Sequence, residues 1–179
     1  MKQLTVPVNG KDHVSGYPYA VIEMVEYGDY ECPHCGRAYP IIKDIQEQLG
    51  SKLKFVFRNF PLSNIHPHSF SASIAAEAAA LQHKFWEMHD IIFENQLTLE
   101  AGDLTTFAYR LGLNVQRFEN DIQQKFLADR VEADFESGIR SGVNGTPTFF
   151  INGLKYEGEW IDRKLLQYLK GIIAQVPIL

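Results

Sequence analysis

The sequence predicts an α/β protein in which a mixed sheet is interrupted by a long helical insertion. Three observations predict it: a strand–helix–strand unit over residues 20–60, continuous helical periodicity over 65–141, and a late hairpin followed by a helix. Two strands joined through a helix form a right-handed parallel crossover, whereas the hairpin adds antiparallel strands. The 179 residues fit one domain with an insertion. We assign residues 1–64 and 142–179 to the sheet-bearing part and 65–141 to a helical domain.

The first half of the chain supplies the parallel unit. Residues 20–27 are rich in β-branched and aromatic types and predict a strand, and residues 53–60, closed by Pro61, predict a second. The segment between them has helical spacing and ends at Gly50. Its apolar stripe consists of Ile41, Ile42, Ile45 and Leu49. Pro40 lies inside this helix, where its missing N–H should produce a bend.

The second half supplies the insertion and the antiparallel strands. Three apolar stripes predict core helices: Phe85, Met88 and Ile92; Leu104, Phe107, Ala108 and Leu111; Val115, Phe118 and Ile122. Residues 148–151 and 154–156 flank the pair Asn152-Gly153, which is a strong hairpin signal. Asp162 then predicts the cap of a last helix. That helix carries Leu165, Leu166, Leu169, Ile172 and Ile173.

Composition excludes several classes of protein. The chain has 17 basic and 22 acidic side chains and a pI near 5.7, so we expect no nucleic-acid partner. Two cysteines exclude a multi-disulfide scaffold and a four-cysteine zinc site. No segment approaches the ~18 apolar residues of a membrane span. Residues 1–10 contain no signal-like apolar run, which predicts a cytoplasmic protein; a periplasmic or other extracytoplasmic location is the alternative if a leader was removed.

Both cysteines lie in one window, Cys32-Pro33-His34-Cys35, at the start of the first predicted helix. The unpaired N–H groups of a first helical turn, together with the helix dipole, stabilise a thiolate and lower its pKa. Pro33 suits the first helical position, and a protonated His34 would stabilise the sulfur anion further. This predicts Cys32 as the nucleophile of a thiol–disulfide exchange and Cys35 as the resolving thiol.

A metal site is the alternative use of such a cysteine pair, and it would need two more ligands. The chain has six histidines, among which His66 and His68 form the closest pair. They precede a helix in a polar turn, which favours a loop over a ligand set. We interpret His89 as a core histidine, and His13 and His83 as surface residues. We therefore expect no metal, and no cofactor other than the redox-active pair Cys32–Cys35.

The order of these features resembles the thioredoxin superfamily. The Pro-His dipeptide between the cysteines and the helical insertion narrow the resemblance to DsbA-like thiol–disulfide oxidoreductases. It covers residues 18–172 and includes Phe85-Trp86-Glu87-Met88-His89-Asp90 and Gly142-Val143-Asn144-Gly145-Thr146-Pro147-Thr148-Phe149. The fold that it implies is a thioredoxin fold with a mixed central sheet and a helical insertion.

The resemblance also implies roles for three further residues. Pro147 matches the family's cis-proline, and Thr146 before it matches the residue whose backbone pairs with an extended substrate. Glu26, six residues before Cys32, matches a buried acid that takes the proton of Cys35. Glu23 competes for this role, but its odd spacing from Glu26 places it on the other face of the strand.

These inferences predict a thiol–disulfide oxidoreductase that acts on protein or peptide thiols and disulfides through a mixed disulfide. A redox partner would recycle the pair, and we expect a monomer. Oxidase, reductase and isomerase directions stay open, because all three use the same residues. The alternative is a peptide-binding, chaperone-like module in which the redox pair is incidental, with an apolar groove near Thr146 and Pro147.

Overall fold

The structure, a computed structural model, describes residues 2–175 and contains a five-stranded mixed sheet. The strands are β1 (His13–Gly16), β2 (Ile22–Gly28), β3 (Leu53–Asn59), β4 (Thr148–Ile151) and β5 (Leu154–Lys155). Their order across the sheet is β1-β3-β2-β4-β5. Strands β2 and β3 are parallel, and the other neighbouring pairs are antiparallel. The predicted mixed sheet is therefore confirmed.

Seven α-helices surround the sheet within the described part of the chain. They are α1 (Pro33–Leu49), α2 (Ser69–Ala80), α3 (Phe85–Glu94), α4 (Ala101–Arg110), α5 (Val115–Asp121), α6 (Lys125–Arg140) and α7 (Lys164–Ala174). Helices α2 to α6 all lie between β3 and β4 in the chain, which is the position predicted for the helical insertion. A short 3₁₀ turn, Gly50–Lys52, leads from α1 into β3.

Helix α1 carries the cysteines because its sequence starts and ends it cleanly. Cys32 is the residue just before the helix, Pro33 lies in its first turn, and Gly50 follows its end with a φ of 49°. The helix continues through Pro40. Its buried face, formed by Cys35, Ala38, Ile42, Ile45 and Leu49, belongs to the main apolar cluster of the protein.

The two faces of the sheet carry separate clusters, since alternate strand residues point to opposite sides. Met24 and Phe57 lie in the main cluster with the apolar face of α1, whereas Val25 and Tyr27 lie in a second cluster. The insertion contributes to the main cluster through Phe85, Met88, Phe107 and Phe118. Sheet and insertion thus share one core, and the division into two domains stays a prediction.

Two predicted elements can be compared with the structure, and one strand was not predicted. The Asn152-Gly153 hairpin turn is confirmed, with positive φ angles of 49° and 79°. The predicted cap Asp162 is wrong: Arg163 precedes α7, and no side chain caps that helix. Strand β1 was not predicted, because its four residues, His-Val-Ser-Gly, carry no readable alternation.

Two further predictions concern His13 and the last residues of the chain. His13, expected at the surface, lies in β1, where it stacks on Phe85 and contacts the buried Glu77 at 2.8 Å. That expectation was wrong, because strand pairing carries His13 between the sheet and the helices. Residues 176–179, the end of the predicted segment 142–179, lie outside the described residues.

Candidate active site

The two cysteines form a buried dithiol at the start of α1. Cys32 is 4% exposed and Cys35 is fully buried. The sulfur of Cys32 lies 3.5 Å from the carbonyl oxygen of Thr146, and the sulfur of Cys35 accepts a hydrogen bond from the backbone N–H of Asp29 at 3.4 Å. The fold therefore brings the strand–helix turn and the loop before β4 to the same pair of sulfurs, although they are far apart in the chain.

The pKa values of the two sulfurs are shifted in opposite directions. A hydrogen bond from the Cys35 thiol, helped by the Thr146 side chain and then by the backbone N–H groups of Cys35 and His34, lowers the pKa of Cys32 to about 5 against the opposing effect of burial. Burial, the hydrogen bond to Cys32 and the nearby Glu26 carboxylate raise the pKa of Cys35 well above its usual value. Near neutral pH, Cys32 is thus the thiolate and Cys35 is the thiol.

Glu26 lies beneath this pair on the α1 side of the sheet. It is 4% exposed, and its burial, followed by the negative charge of Cys32, raises its pKa to about 8. It lines a cavity of about 40 Å³ together with Tyr39, Lys43 and Asp90. Glu23 instead forms a part-exposed ion pair with Lys54 at 2.8 Å. Of the two acids, Glu26 is the one that lies close enough to Cys35 to raise its pKa.

Thr146 and Pro147 lie in the loop between α6 and β4. The peptide bond between them is cis. The Thr148 hydroxyl donates to the Gly145 carbonyl at 2.7 Å and so closes this turn around the two residues. The Thr146 carbonyl faces the sulfur of Cys32.

His34 and Pro33 are both exposed in the first turn of α1. The His34 ring lies 2.7 Å from the Arg37 guanidinium. It is the backbone N–H of His34 that helps to lower the pKa of Cys32. Any residue other than proline would supply that N–H, so the role of the ring stays a prediction.

The remaining histidines are engaged with other side chains or lie at the surface. His66 contacts the carboxylate of Asp29 at 2.8 Å. His89 is confirmed as a core histidine: it contacts the Tyr30 hydroxyl at 3.1 Å, and burial lowers its pKa to about 3. Within residues 2–175, no group of three or more His, Cys, Asp or Glu side chains is arranged to hold a metal.

Two residues near the cysteines were missed by the sequence analysis. Asp29 is fully buried, and its carboxylate accepts hydrogen bonds from the turn that leads to Cys32. An aspartate can form an Asx turn by accepting a hydrogen bond from the backbone N–H two residues later, and this turn signal could have revealed it. Gln96 donates to the carbonyl of Cys32 at 2.7 Å from the loop between α3 and α4. No local pattern marks Gln96, because its partners lie 64 and 66 residues away.

The sequence was compared with models of known protein families. A family model described as thioredoxin matches residues 8–170, which is most of the chain. The chain belongs to the thioredoxin family.

Several solved structures resemble this one at low sequence identity. A thioredoxin-like oxidoreductase from Silicibacter pomeroyi has a TM-score of 0.82 at 22% identity, covering 94% of this chain and 95% of that chain. BdbD from Bacillus subtilis has a TM-score of 0.79 at 23% identity, covering 91% and 93%. The α-DsbA1 protein of Wolbachia pipientis has a TM-score of 0.79 at 22% identity, covering 97% and 98%. These likenesses establish a thioredoxin fold with a helical insertion.

Closer relatives in sequence are longer proteins. The Na(+)/H(+) antiporter NhaA 1 of Mycobacterium sp. (strain KMS) is 40% identical over 163 residues, and NhaA 3 of Salinispora tropica is 41% identical over 158 residues. These matches cover 90% and 88% of this chain but 27% and 24% of the relatives. The chain therefore spans about a quarter of their length. Among residues 2–175, no helix is long and apolar enough to cross a membrane.

Proposed function

We propose that this chain exchanges its Cys32–Cys35 dithiol or disulfide with protein or peptide substrates through a mixed disulfide. The observation that carries the proposal is the placement of two buried, adjacent sulfurs at one helix start, where the pKa of Cys32 is lowered to about 5 and the pKa of Cys35 is raised. A thiolate attacks disulfides, whereas a thiol does not, so the first attack belongs to Cys32. The antiporter name of the longer relatives is not carried over, because the match covers only about a quarter of them.

The reducing direction proceeds in two displacements. The Cys32 thiolate attacks a substrate disulfide, a bond forms between Cys32 and one substrate sulfur, and the other substrate sulfur leaves as a thiolate. Cys35 then loses its proton and attacks the sulfur of Cys32. The Cys32–Cys35 disulfide closes, the second substrate sulfur leaves, and two electrons have passed to the substrate. The oxidising direction is the reverse, with a substrate thiolate attacking the closed pair.

Glu26 is the proposed acceptor of the Cys35 proton. Its pKa of about 8 allows the carboxyl group both to take up and to release a proton near neutral pH. The cavity of about 40 Å³ beside it has room for water, since one water needs roughly 10–15 Å³ on this measure. A proton from Cys35 would pass to Glu26 and then to this cavity.

Thr146 and Pro147 are the proposed substrate-binding residues. The Thr146 carbonyl lies 3.5 Å from the sulfur of Cys32. An extended peptide joined to that sulfur would run beside this backbone, where it could pair as an added strand.

We further propose that the pair donates disulfides rather than reduces them. A low pKa of Cys32 stabilises the dithiol state and makes Cys32 a good leaving group, and both effects favour an oxidant. A separate redox partner would then reoxidise the pair. The equilibrium constant against glutathione tests this direction: a strongly reducing value would contradict it. The compartment and the monomeric state stay predictions.

The proposed chemistry is tested with variants of the two cysteines. Wild-type protein should oxidise reduced ribonuclease and reduce insulin. Cys32→Ser should abolish both activities, because the other cysteine, Cys35, is fully buried and has a raised pKa. Cys35→Ser is the matched control: it keeps the nucleophile, so it should accumulate a mixed disulfide with a disulfide-containing peptide, whose other sulfur leaves as a thiolate. Survival of activity in Cys32→Ser, or no mixed disulfide with Cys35→Ser, would contradict the proposal.

A chaperone-like function is a second candidate, supported by one surface feature. An apolar groove of about 410 Å³ is lined by Leu62, Ile65, Phe70 and Phe135. The groove expected for this function was placed near Thr146 and Pro147, and neither residue lines this one. A holdase assay on the Cys32→Ser/Cys35→Ser double variant separates the two functions. Full suppression of client aggregation, combined with no redox activity in the wild type, would favour the chaperone.

A further inference from the structure

The turn from Asp29 to Cys32 is held by hydrogen bonds from the segment that follows β3. The buried Asp29 carboxylate uses one oxygen to accept from the backbone N–H groups of Glu31 at 2.8 Å and Cys32 at 3.2 Å. Its other oxygen contacts the backbone N–H of Leu62 and the Nδ1 atom of His66, both at 2.8 Å. Asp29 therefore joins the backbone of the nucleophile to a side chain 37 residues later.

Since a carboxylate only accepts hydrogen bonds, its contact with His66 requires Nδ1 to carry the proton. His66 is partly exposed, whereas Asp29 is fully buried. A buried carboxylate that loses one of its donors is left with an unmet demand for hydrogen bonding. Without His66, the carboxylate would therefore move toward other donors and pull on the turn.

Gln96 holds the other side of the same turn. Its side-chain nitrogen donates to the carbonyl of Tyr30 at 2.9 Å and to the carbonyl of Cys32 at 2.7 Å. The same Cys32 carbonyl accepts the first hydrogen bond of α1, from the N–H of Gly36 at 3.0 Å. A Cβ atom on residue 36 would lie 2.2 Å from the Gln96 side chain, so the close approach of Gln96 depends on glycine there.

We propose that His66 and Gln96 are positioning residues that hold Cys32 in register with the first turn of α1, His66 through Asp29 and Gln96 through the Cys32 carbonyl. They come from opposite ends of the helical insertion's first half, the segments before α2 and after α3. The helical insertion thus acts on the nucleophile that the sheet-bearing part contributes. The inference rests on the proposed function, since it assigns a task to residues around the nucleophile.

The physical basis is the alignment of the backbone N–H groups. Donors in the first turn stabilise the Cys32 thiolate only while the sulfur faces them. A loosened turn spreads the sulfur over several orientations and weakens these hydrogen bonds. A measurement of the Cys32 pKa therefore reports how well the sulfur is positioned, whereas a general loss of stability would leave this pKa unchanged.

The test titrates the Cys32 thiolate by its ultraviolet absorbance in reduced protein. His66→Ala and Gln96→Ala should each raise the pKa of Cys32 by about 0.5–1 unit. His66→Asn should restore the wild-type value, because its amide nitrogen can donate to Asp29 in place of Nδ1. The equilibrium constant with glutathione should shift toward the disulfide in the two alanine variants.

Two matched controls share the chemistry but not the location. Gln82 bonds the backbone N–H and carbonyl of Asn114 at 2.9 and 3.2 Å, so Gln82→Ala loses similar hydrogen bonds elsewhere in the insertion. His68 meets Glu31 through its backbone N–H, which His68→Ala keeps. Both controls should leave the pKa of Cys32 at its wild-type value.

The outcomes separate this inference from the proposed function. An unchanged Cys32 pKa in folded His66→Ala and Gln96→Ala would overturn the positioning role even if the wild type is active. An equal rise in Gln82→Ala would also overturn it, since the effect would then follow stability. Absence of wild-type redox activity would instead overturn the proposed function, whatever the titrations show.

Discussion

Two identical side chains at positions 32 and 35 differ chemically because they occupy different places around one helix end. Cys32 faces the donors of the first turn, while Cys35 lies deeper, beside Glu26. Each sulfur also shifts the other, because the Cys35 thiol donates to the Cys32 thiolate. The difference therefore belongs to the pair and cannot be assigned to one residue.

We predict that Cys35→Ala raises the pKa of Cys32 by about 1 unit or more, because the hydrogen bond from Cys35 is the largest cause of its lowering. Cys35→Ser is the control, since its hydroxyl keeps a donor, and it should give a smaller rise. The pH dependence of iodoacetamide alkylation measures both values. Equal pKa values in Cys35→Ala and the wild type would refute the assigned cause.

A second prediction concerns Glu26 and stability. Its folded pKa of about 8 lies above its ordinary value of 4.5. Below pH 4.5 the group is protonated in both states; between pH 4.5 and 8 only the unfolded chain releases the proton, so native stability falls as pH rises. Glu26→Gln removes this loss. The gain in the free energy of unfolding of this variant over the protein with Glu26 should therefore be larger at pH 8 than at pH 4.5, by roughly 1–3 kcal/mol.

The measurement is urea unfolding at both pH values in a Cys32→Ser/Cys35→Ser background, where neither sulfur titrates. Burial, the larger cause of the Glu26 shift, is retained in that background. Glu23→Gln is the control, because Glu23 lies on the same strand as Glu26 but is partly exposed and pairs with Lys54 of β3. The same gain in Glu23→Gln, or no gain in Glu26→Gln, would contradict the buried-acid assignment.

At the scale of the element, two helical glycines show how packing overrides helix propensity. A Cβ atom on Gly138 in α6 would lie 2.6 Å from the Phe60 ring and 3.0 Å from the Tyr27 ring. Gly171 in α7 has nothing within 4 Å of that position. The close approach of α6 to the sheet therefore requires glycine at 138, whereas α7 makes no such demand at 171.

We predict that Gly138→Ala lowers the free energy of unfolding by about 1–3 kcal/mol through overpacking. Gly171→Ala should raise it by up to about 1 kcal/mol, since alanine is the better helix former. Urea denaturation of the two variants and the wild type provides the comparison. A stabilised Gly138→Ala would show that α6 can move away from Phe60 at little cost.

At the scale of the whole molecule, the helical insertion and the sheet share one apolar core. Trp86 in α3 packs against the main cluster and donates its indole N–H to the Val14 carbonyl at 3.2 Å. Trp160, between β5 and α7, packs against the same cluster. These are the two tryptophans of the chain, one in each predicted part.

We predict that both parts unfold in one transition. The single-tryptophan variants Trp160→Phe and Trp86→Phe report on the insertion and on the sheet-bearing part respectively. In each variant, the urea midpoint from fluorescence should equal the midpoint from far-ultraviolet circular dichroism. The fluorescence midpoints of the two variants should also agree with each other after correction for the effect of each substitution on stability. Two separated midpoints within one variant would show that the insertion unfolds by itself.

Local signals in the sequence were sufficient for most elements. Residues 53–60 are rich in apolar and aromatic types and end before Pro61, and Asn152-Gly153 is a hairpin-turn pair; the structure agrees with both predictions. These rules did not predict strand β1, because its four residues contain one clear apolar position. They form a strand by pairing with the edge of β3, which lies far away in the sequence. The cap at Asp162 failed because a loop conformation with φ of 51° and 61° at residues 162 and 163 leads into α7.

By itself, the sequence determined the fold class, the cysteine pair at a helix start and the kind of chemistry that such a pair performs. These follow from neighbours within a few residues, where period, capping and dipole effects act. Only the tertiary structure decided that His66 and Gln96 reach the turn before Cys32, and that the His34 ring contacts Arg37. Such contacts join segments that meet through the shared core, so no local pattern encodes them.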